Sequence, residues 1–222
     1  MFQRYAVYYL PDDAGLAAFG ASWLGWDVSS GAVCAHPDVD GLAEATGAPR
    51  KYGFHGTLKP PFKLAEGTDA AALQTAVAKL AERAPAFELD GLSLSRIGSF
   101  LALVPKGNTS RLAHLAIECV TKLDSFRRAP EAAELQRRRK AGLSPRQDAL
   151  LEKWGYPYVA DEFRFHLTLT GKLNAPEQDR FLEVLRAHLP PLPAPFPIIS
   201  IALVGARSDG KFQLIHRYAL TG

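Results

Sequence analysis

Cysteine is scarce in this 222-residue chain. Only Cys34 and Cys119 occur, in no metal-ligand spacing and no disulfide framework. That excludes a disulfide-stapled scaffold and points to a reduced, cytoplasmic protein. Long apolar runs are also missing. The best, residues 14–26, follows Pro11-Asp12-Asp13, contains three glycines and is too short to span a bilayer. It lacks a basic leader, so neither signal peptide nor anchor is expected. There is no Gly-rich phosphate loop, no His-Glu-x-x-His and no Cys-x-x-Cys. These absences remove the nucleotide-loop, zinc-protease and dithiol readings. They leave chemistry that side chains perform alone, with no cofactor and no metal.

What is present is ordinary for a globular chain: 47% hydrophobic and 22% charged residues. The net charge of +3 is mildly basic and compatible with an anionic substrate. One phrase occurs twice. Gly53-Phe54-His55-Gly56-Thr57-Leu58 and Phe163-Arg164-Phe165-His166-Leu167-Thr168-Leu169 both contain Phe-His-x-Thr-Leu. Each is followed by a Lys-Leu pair, Lys63-Leu64 and Lys172-Leu173. The phrase reads as a β-strand, in which alternate residues share a face. His55 then sits beside Thr57, and His166 beside Thr168. Phe54, Leu58, Phe165 and Leu169 point the other way, into a core. One such strand is most simply a half-buried strand with a locally satisfied histidine. Two at matching places are hard to explain by packing.

Around the phrases the chain reads as strand 4–10, helix to about residue 24, a Gly/Ser/Pro-punctuated region 25–49 with a short helix near 39–45, and the first His strand 52–59. That strand is expected to stop at Pro60-Pro61. A helix follows to about 83, then a hairpin of strands 87–95 and 100–104. A helix over 110–126 leads into a charged helical stretch, 127–153, broken at 142–145 and carrying Arg137-Arg138-Arg139-Lys140. This basic run is a solvated helix face, a substrate-facing lid or a nucleic-acid contact. The second His strand is expected over 162–170, then a helix 176–188, an extended Pro-rich connector 190–197, and a hairpin of 198–204 and 212–219. Each half therefore runs His strand, helix, strand, turn, strand. His166 lies 111 residues after His55 (166 − 55), and Phe196 lies 109 after Phe87 (196 − 87), the mark of one duplicated unit. The expectation is one bilobal domain, 1–222, with lobes near 1–109 and 110–222 and room for elements exchanged between them.

The spaced pair His55-Gly56-Thr57-Leu58 and His166-Leu167-Thr168-Leu169 resembles the 2H phosphoesterase superfamily, named for two His-x-Thr/Ser motifs. Trp154-Gly155-Tyr156-Pro157-Tyr158 before the second motif, with Arg4-Tyr5-Ala6 at the start, resembles an uncharacterised bacterial branch associated with phosphonate-metabolism operons. The resemblance implies an α+β, bilobal, duplicated fold of the RNA ligase/cyclic phosphodiesterase-like type. Two antiparallel sheets would flank a central cleft, with helices outside and no metal.

The chemistry follows from the residue types. Opening a cyclic phosphodiester with water needs a base for the water proton and an acid for the leaving oxygen, and two imidazoles supply both near neutral pH. Two hydroxyls can donate to the phosphoryl oxygens. On a regular strand Lys59 shares a face with His55 and Thr57, and Arg164 and Thr170 share one with His166 and Thr168. These three are candidate substrate-binding residues, and as cations Lys59 and Arg164 are equally well read as ordinary surface charges. His36, His114, His188 and His216 read as structural or surface residues. The expected partner is a small phosphorylated substrate or an RNA end, with no membrane and no obligate protein partner. The alternative is a non-catalytic protein that binds a nucleotide or RNA end in the same cleft.

Overall fold

The computed structural model describes residues 2–140 and 142–222. In chain order they form β1 (Arg4–Tyr9), α1 (Ala14–Leu24), β2 (Trp26–Asp27), β3 (Ala32–Val33), α2 (Leu42–Ala45), α3 (Gly47–Arg50) and β4 (Gly56–Phe62). Then come α4 (Ala70–Arg83), β5 (Phe87–Leu89), β6 (Gly91–Ile97), β7 (Phe100–Lys106) and α5 (Ser110–Lys122). The rest is α6 (Ala132–Arg139), α7 (Pro145–Trp154), β8 (Leu167–Thr168), α8 (Ala175–His188), β9 (Phe196–Ile198), β10 (Ser200–Ala206) and β11 (Phe212–Ala219). Among the described residues no helix is long and apolar enough to cross a membrane.

Local chemistry sets the helix ends. Asp13 caps α1 and Asp69 caps α4, each side chain accepting from a backbone N–H in the first turn. Ser144 and Asn174 form capping boxes with Gln147 and Glu177 ahead of α7 and α8. The basic stretch breaks into α6 and α7, as the sequence suggests.

The fold is α+β, as expected. Its main sheet has seven strands in the order β11-β10-β1-β4-β8-β7-β6, every neighbouring pair antiparallel. Two two-stranded sheets, β2-β3 and β5-β9, complete it. The two expected sheets are thus wings of one continuous sheet. A four-stranded wing ending in β4 meets a three-stranded wing starting at β8 through a single residue pair, Gly56 opposite Leu167. Gly56 permits the approach, because a Cβ there would lie 2.3 Å from the Phe165 ring.

The main hydrophobic core lies on one face of this sheet. Leu16 and Trp23 of α1, Leu73 and Val77 of α4, Leu112 and Cys119 of α5, and Phe181 and Leu185 of α8 pack there against Val7, Leu58, Leu103, Leu167 and Leu203. Burial of this apolar area is the largest stabilising term. The opposite face carries a smaller cluster of Ala6, Tyr8, Ala202, Val204 and Phe212, covered by Trp26 and Val28. The remainder of that face is open at the junction of the wings.

Two strand expectations need correction. Pro60-Pro61 does not stop β4. Tyr5 pairs with Phe62 and Val7 with Lys59, so the two prolines lie in a bulge opposite Ala6 alone. A bulge tolerates prolines because its residues need not donate to the ladder. The second His strand is also shorter than expected. Residues Ala160–Glu162 form a 3-10 turn, and β8 contains only Leu167 and Thr168. Both histidines sit one residue outside their strands.

Candidate active site

The Gly56–Leu167 pair organises the site. Continuing its antiparallel register by one residue each way sets Thr57 across from His166, and His55 across from Thr168. The two phrases are related by a local two-fold passing between Gly56 and Leu167. Such diagonal residues, here the two histidines, lie about 7–8 Å apart on one sheet face. Phe54, Leu58, Phe165 and Leu169 are all buried in the main core behind them.

The two imidazoles are held the same way. His55 Nδ1 donates to the Gly53 carbonyl at 2.8 Å, and His166 Nδ1 donates to the Arg164 carbonyl at 2.8 Å. In both cases the acceptor is two residues upstream. A carbonyl can only accept, so each neutral ring carries its proton on Nδ1 and keeps Nε2 as the free base. His55 Nε2 accepts from the Thr57 hydroxyl at 3.0 Å. Gly53 holds φ +73°, and a Cβ on it would lie 2.6 Å from Val28, so glycine is needed to aim that carbonyl.

Aromatic rings set both imidazole planes. Tyr8 stacks on His55 with centroids 3.7 Å apart and planes 22° apart, and Phe100 lies 5.5 Å from His166. Burial pushes His55 down to about 4; the His166 charge adds to this and the Gly53 carbonyl opposes it. Burial also lowers His166, against the opposing Arg164 carbonyl. Burial thus disfavours the protonated form of both rings in the free protein.

Thr57 and His166 line a cleft of about 540 Å³, with Phe100, Tyr156, Tyr158 and Arg164 among its walls. Gln147 and Glu162, also on the wall, hydrogen-bond each other at 2.9 Å. The exposed Arg164 is the cation of this cleft, while Thr168 is placed opposite His55 by register and opposite Ala102 on β7.

Two of the sequence-suggested residues are elsewhere. Lys59 is 1% exposed on the core face; its Nζ donates to the Val120 carbonyl at 2.8 Å and lies 3.7 Å from Asp124. Burial pushes it down to about 8, with Asp124 opposing. The cause is a second bulge. Tyr8 pairs with Thr57 and Val7 with Lys59, so Leu58 is the extra residue and the alternation breaks between Thr57 and Lys59. Thr170 is 1% exposed, accepts from Leu101 N–H at 3.0 Å and donates to the Gly171 carbonyl, so it ties the chain end of β8 to β7. Sequence reasoning missed Tyr8, Phe100 and Tyr156. Tyr8 alternates with Arg4 and Ala6 on β1, but nothing local says that β1 pairs with β4.

Among the described residues, no group of three or more His, Cys, Asp or Glu side chains is placed to hold a metal ion. The arrangement is two imidazoles that keep Nε2 as the basic nitrogen, one of them bonded to the Thr57 hydroxyl, and a second hydroxyl, Thr168, about the junction of the two wings.

Residues 57–213 match the family described as "Protein of unknown function (DUF1045)", and the chain belongs to that family. The matched span includes Thr57, His166 and Thr168 and starts two residues after His55. Two curated relatives carry the name ribose 1,5-bisphosphate phosphokinase PhnN. The one from Janthinobacterium sp. (strain Marseille) is 37% identical over 215 residues, 93% of this chain and 48% of the relative. The one from Laribacter hongkongensis (strain HLHK9) is 36% identical over 188 residues, 83% of this chain and 44% of the relative. The chain thus spans about half the length of these relatives. Among solved structures, Escherichia coli LigT complexed with 3'-AMP aligns over 100% of both chains at 16% identity and TM-score 0.47. TT0787 of Thermus thermophilus aligns over 99% of this chain and 98% of that one at 13% identity and TM-score 0.47.

Proposed function

We propose that this protein is a metal-independent phosphoesterase of the two-histidine type that opens a cyclic phosphodiester with water. The observation that carries the reading is the two-fold arrangement of His55, Thr57, His166 and Thr168 about the Gly56–Leu167 pair. With the phosphorus between the rings, one Nε2 takes a proton from the attacking water. The other, protonated, gives its proton to the leaving sugar oxygen. A bond from phosphorus to the water oxygen forms as the bond to one ring oxygen breaks, leaving a phosphate monoester and a free hydroxyl. Thr168 donates to a phosphoryl oxygen, Thr57 turns its one hydroxyl proton from His55 Nε2 to another when substrate binds, and Arg164 offsets the charge from the cleft wall. An anionic phosphodiester raises the pKa of both imidazoles, so substrate binding helps recruit the acid's proton.

The proposed substrates are a small sugar cyclic phosphate, a 2′,3′-cyclic nucleotide or an RNA 2′,3′-cyclic end. The resemblance to a branch found with phosphonate operons, and relatives named for a ribose bisphosphate, support the first. The phosphokinase activity in that name is not carried over, since the sequence has no Gly-rich phosphate loop. The test is turnover of a panel of cyclic phosphates by EDTA-treated protein. Activity that survives EDTA supports the reading, and activity that appears only on adding metal rejects the mechanism. The second reading, a non-catalytic protein that binds a nucleotide or RNA end in the same cleft, is favoured by the basic run Arg137-Arg138-Arg139-Lys140. Ligand binding that survives His55→Ala, with no turnover by the natural protein, would select it.

A further inference from the structure

Beside the histidine cleft lies a second cavity of about 440 Å³ with a different character. Its walls carry six cations, Arg4, Lys63, Arg127, Arg128, Arg137 and Arg138, against two carboxylates, Glu131 and Glu134. Glu134 is taken by Arg138 at 2.9 Å, and Arg127 is paired with Asp124 at 2.7 Å. Arg4, Lys63, Arg128 and Arg137 form no ion pair among the described residues. Two neighbouring arginines, by contrast, are spent on carboxylates. Arg139 of α6 holds Asp148 and Glu152, and Arg146 of α7 holds Asp161.

The Nε and Nη2 of Arg127 hold Asp124 and the Lys153 carbonyl, and its Nη1 is buried against Gly155. Arg127 is thus tied into the wall, and the four cations without ion pairs are the ones left to meet an anion.

The two cavities adjoin. Pro60 lines the cleft and Pro61 the basic cavity. Tyr156 of the cleft carries the Arg138 guanidinium 5.4 Å from its ring centre. Arg4 alternates with Ala6 and Tyr8 on β1, so it shares the face on which Tyr8 stacks against His55, about 13 Å along the strand from Tyr8 at ~3.3 Å per residue. The Arg4 guanidinium lies 5.5 Å from the Phe212 ring centre, and Phe212 lies 5.9 Å from Tyr8.

We infer that this cavity is a subsite for a second, terminal phosphate of the substrate, so that the protein selects cyclic phosphodiesters whose sugar also bears a phosphate monoester. The inference rests on the proposed phosphoesterase reading for the first cavity. The limited size of the cavity and its four unpaired cations favour a compact dianion over the singly charged diester links of an RNA strand.

The test compares kcat/KM for adenosine 2′,3′-cyclic phosphate, its 5′-phosphorylated form, and a dinucleotide ending in the same cyclic phosphate. The expected result is about a tenfold or greater preference for the 5′-monoester over the unsubstituted compound, carried mainly by KM. That preference collapses in Arg128→Gln/Arg137→Gln. Equal rates on the first two compounds, or a preference that survives the double substitution, overturns the subsite. An equal gain from the dinucleotide overturns the monoester assignment in favour of a strand. Calorimetric titration of ribose 5-phosphate separates this idea from the first reading, because it needs no turnover. Binding that persists in His55→Ala and weakens about tenfold or more in Arg128→Gln/Arg137→Gln supports the subsite even if no cyclic phosphate is opened. Binding lost with His55→Ala and untouched by the arginine changes overturns it.

Discussion

The same five-residue phrase sits in two unlike surroundings. The first is the rigid copy: β4 has seven residues, His55 is stacked under Tyr8, and its Nε2 is held by Thr57. The second is the open copy: β8 has two residues, and His166 lies tilted against Phe100 beside the exposed Arg164. Both keep the Nδ1 bond to a carbonyl two residues back. The shared feature fixes which nitrogen can react, and the surroundings decide how readily each ring takes a proton. His55, more deeply buried and repelled by its twin, is pushed down to about 4. Burial lowers His166 as well, so both rings resist protonation, His55 the more strongly.

The largest expected effect breaks the comparison outright. On whichever cyclic phosphate is turned over, His55→Ala and His166→Ala should each lower the rate about 10²–10⁴-fold. The double variant should lose far less than the product of the two, because the pair works as a unit. Full activity in either single variant ends the two-histidine mechanism.

Next comes the junction. Gly56→Ala forces a Cβ into the Phe165 ring and should destabilise the fold by roughly 1–3 kcal/mol, read as a drop in Tm with loss of activity. Phe165→Leu added to it should recover part of the Tm, and no recovery would mean that this contact does not govern the approach of β4 to β8.

A smaller effect separates the hydroxyls. Thr57→Val and Thr168→Val should each cost less than a histidine change, about tenfold for one hydrogen bond to a charged group. Thr57 should cost the more, since it also holds His55 Nε2. Thr57→Ser should restore most of the rate, and equal costs at the two sites would erase the asymmetry.

The smallest effects are in pH. In the free protein the active form has one neutral and one protonated ring, so kcat/KM should peak below about pH 6.5, between the two imidazole values. The optimum for kcat should lie higher, because bound phosphate raises both. Stability shifts in a set direction too. A histidine lowered on folding binds fewer protons folded than unfolded, so its stabilising contribution is complete above about 6.5 and is lost as pH falls towards 4. The loss is at most about 3 kcal/mol. The fall in Tm over that interval should flatten in His55→Gln, and an unchanged slope would show that His55 is not buried as described.

Much of this was written locally. Period-two alternation put Phe54, Leu58, Phe165 and Leu169 in the core and Thr57 beside His55, because side-chain direction in a strand needs no distant partner. Asp13, Asp69, Ser144 and Asn174 announce the helix starts by their own hydrogen bonds. The Arg137-Arg138-Arg139-Lys140 run could be read as basic, but not as divided. Arg137 faces the basic cavity, while Arg139 is spent on Asp148 and Glu152, and only the placement of α7 separates them.

The pair of phrases, their core-facing anchors and the imidazole–hydroxyl neighbours are legible in the chain alone. Those follow from spacing within a few residues. Only the tertiary structure decided that β4 and β8 pair through one residue, that Tyr8 lies on His55, and that a bulge at Leu58 turns Lys59 into the core. Strand partners and bulges depend on contacts between residues tens to hundreds of positions apart. No local period records them, and a one-residue change in register sends a side chain to the other face of the sheet.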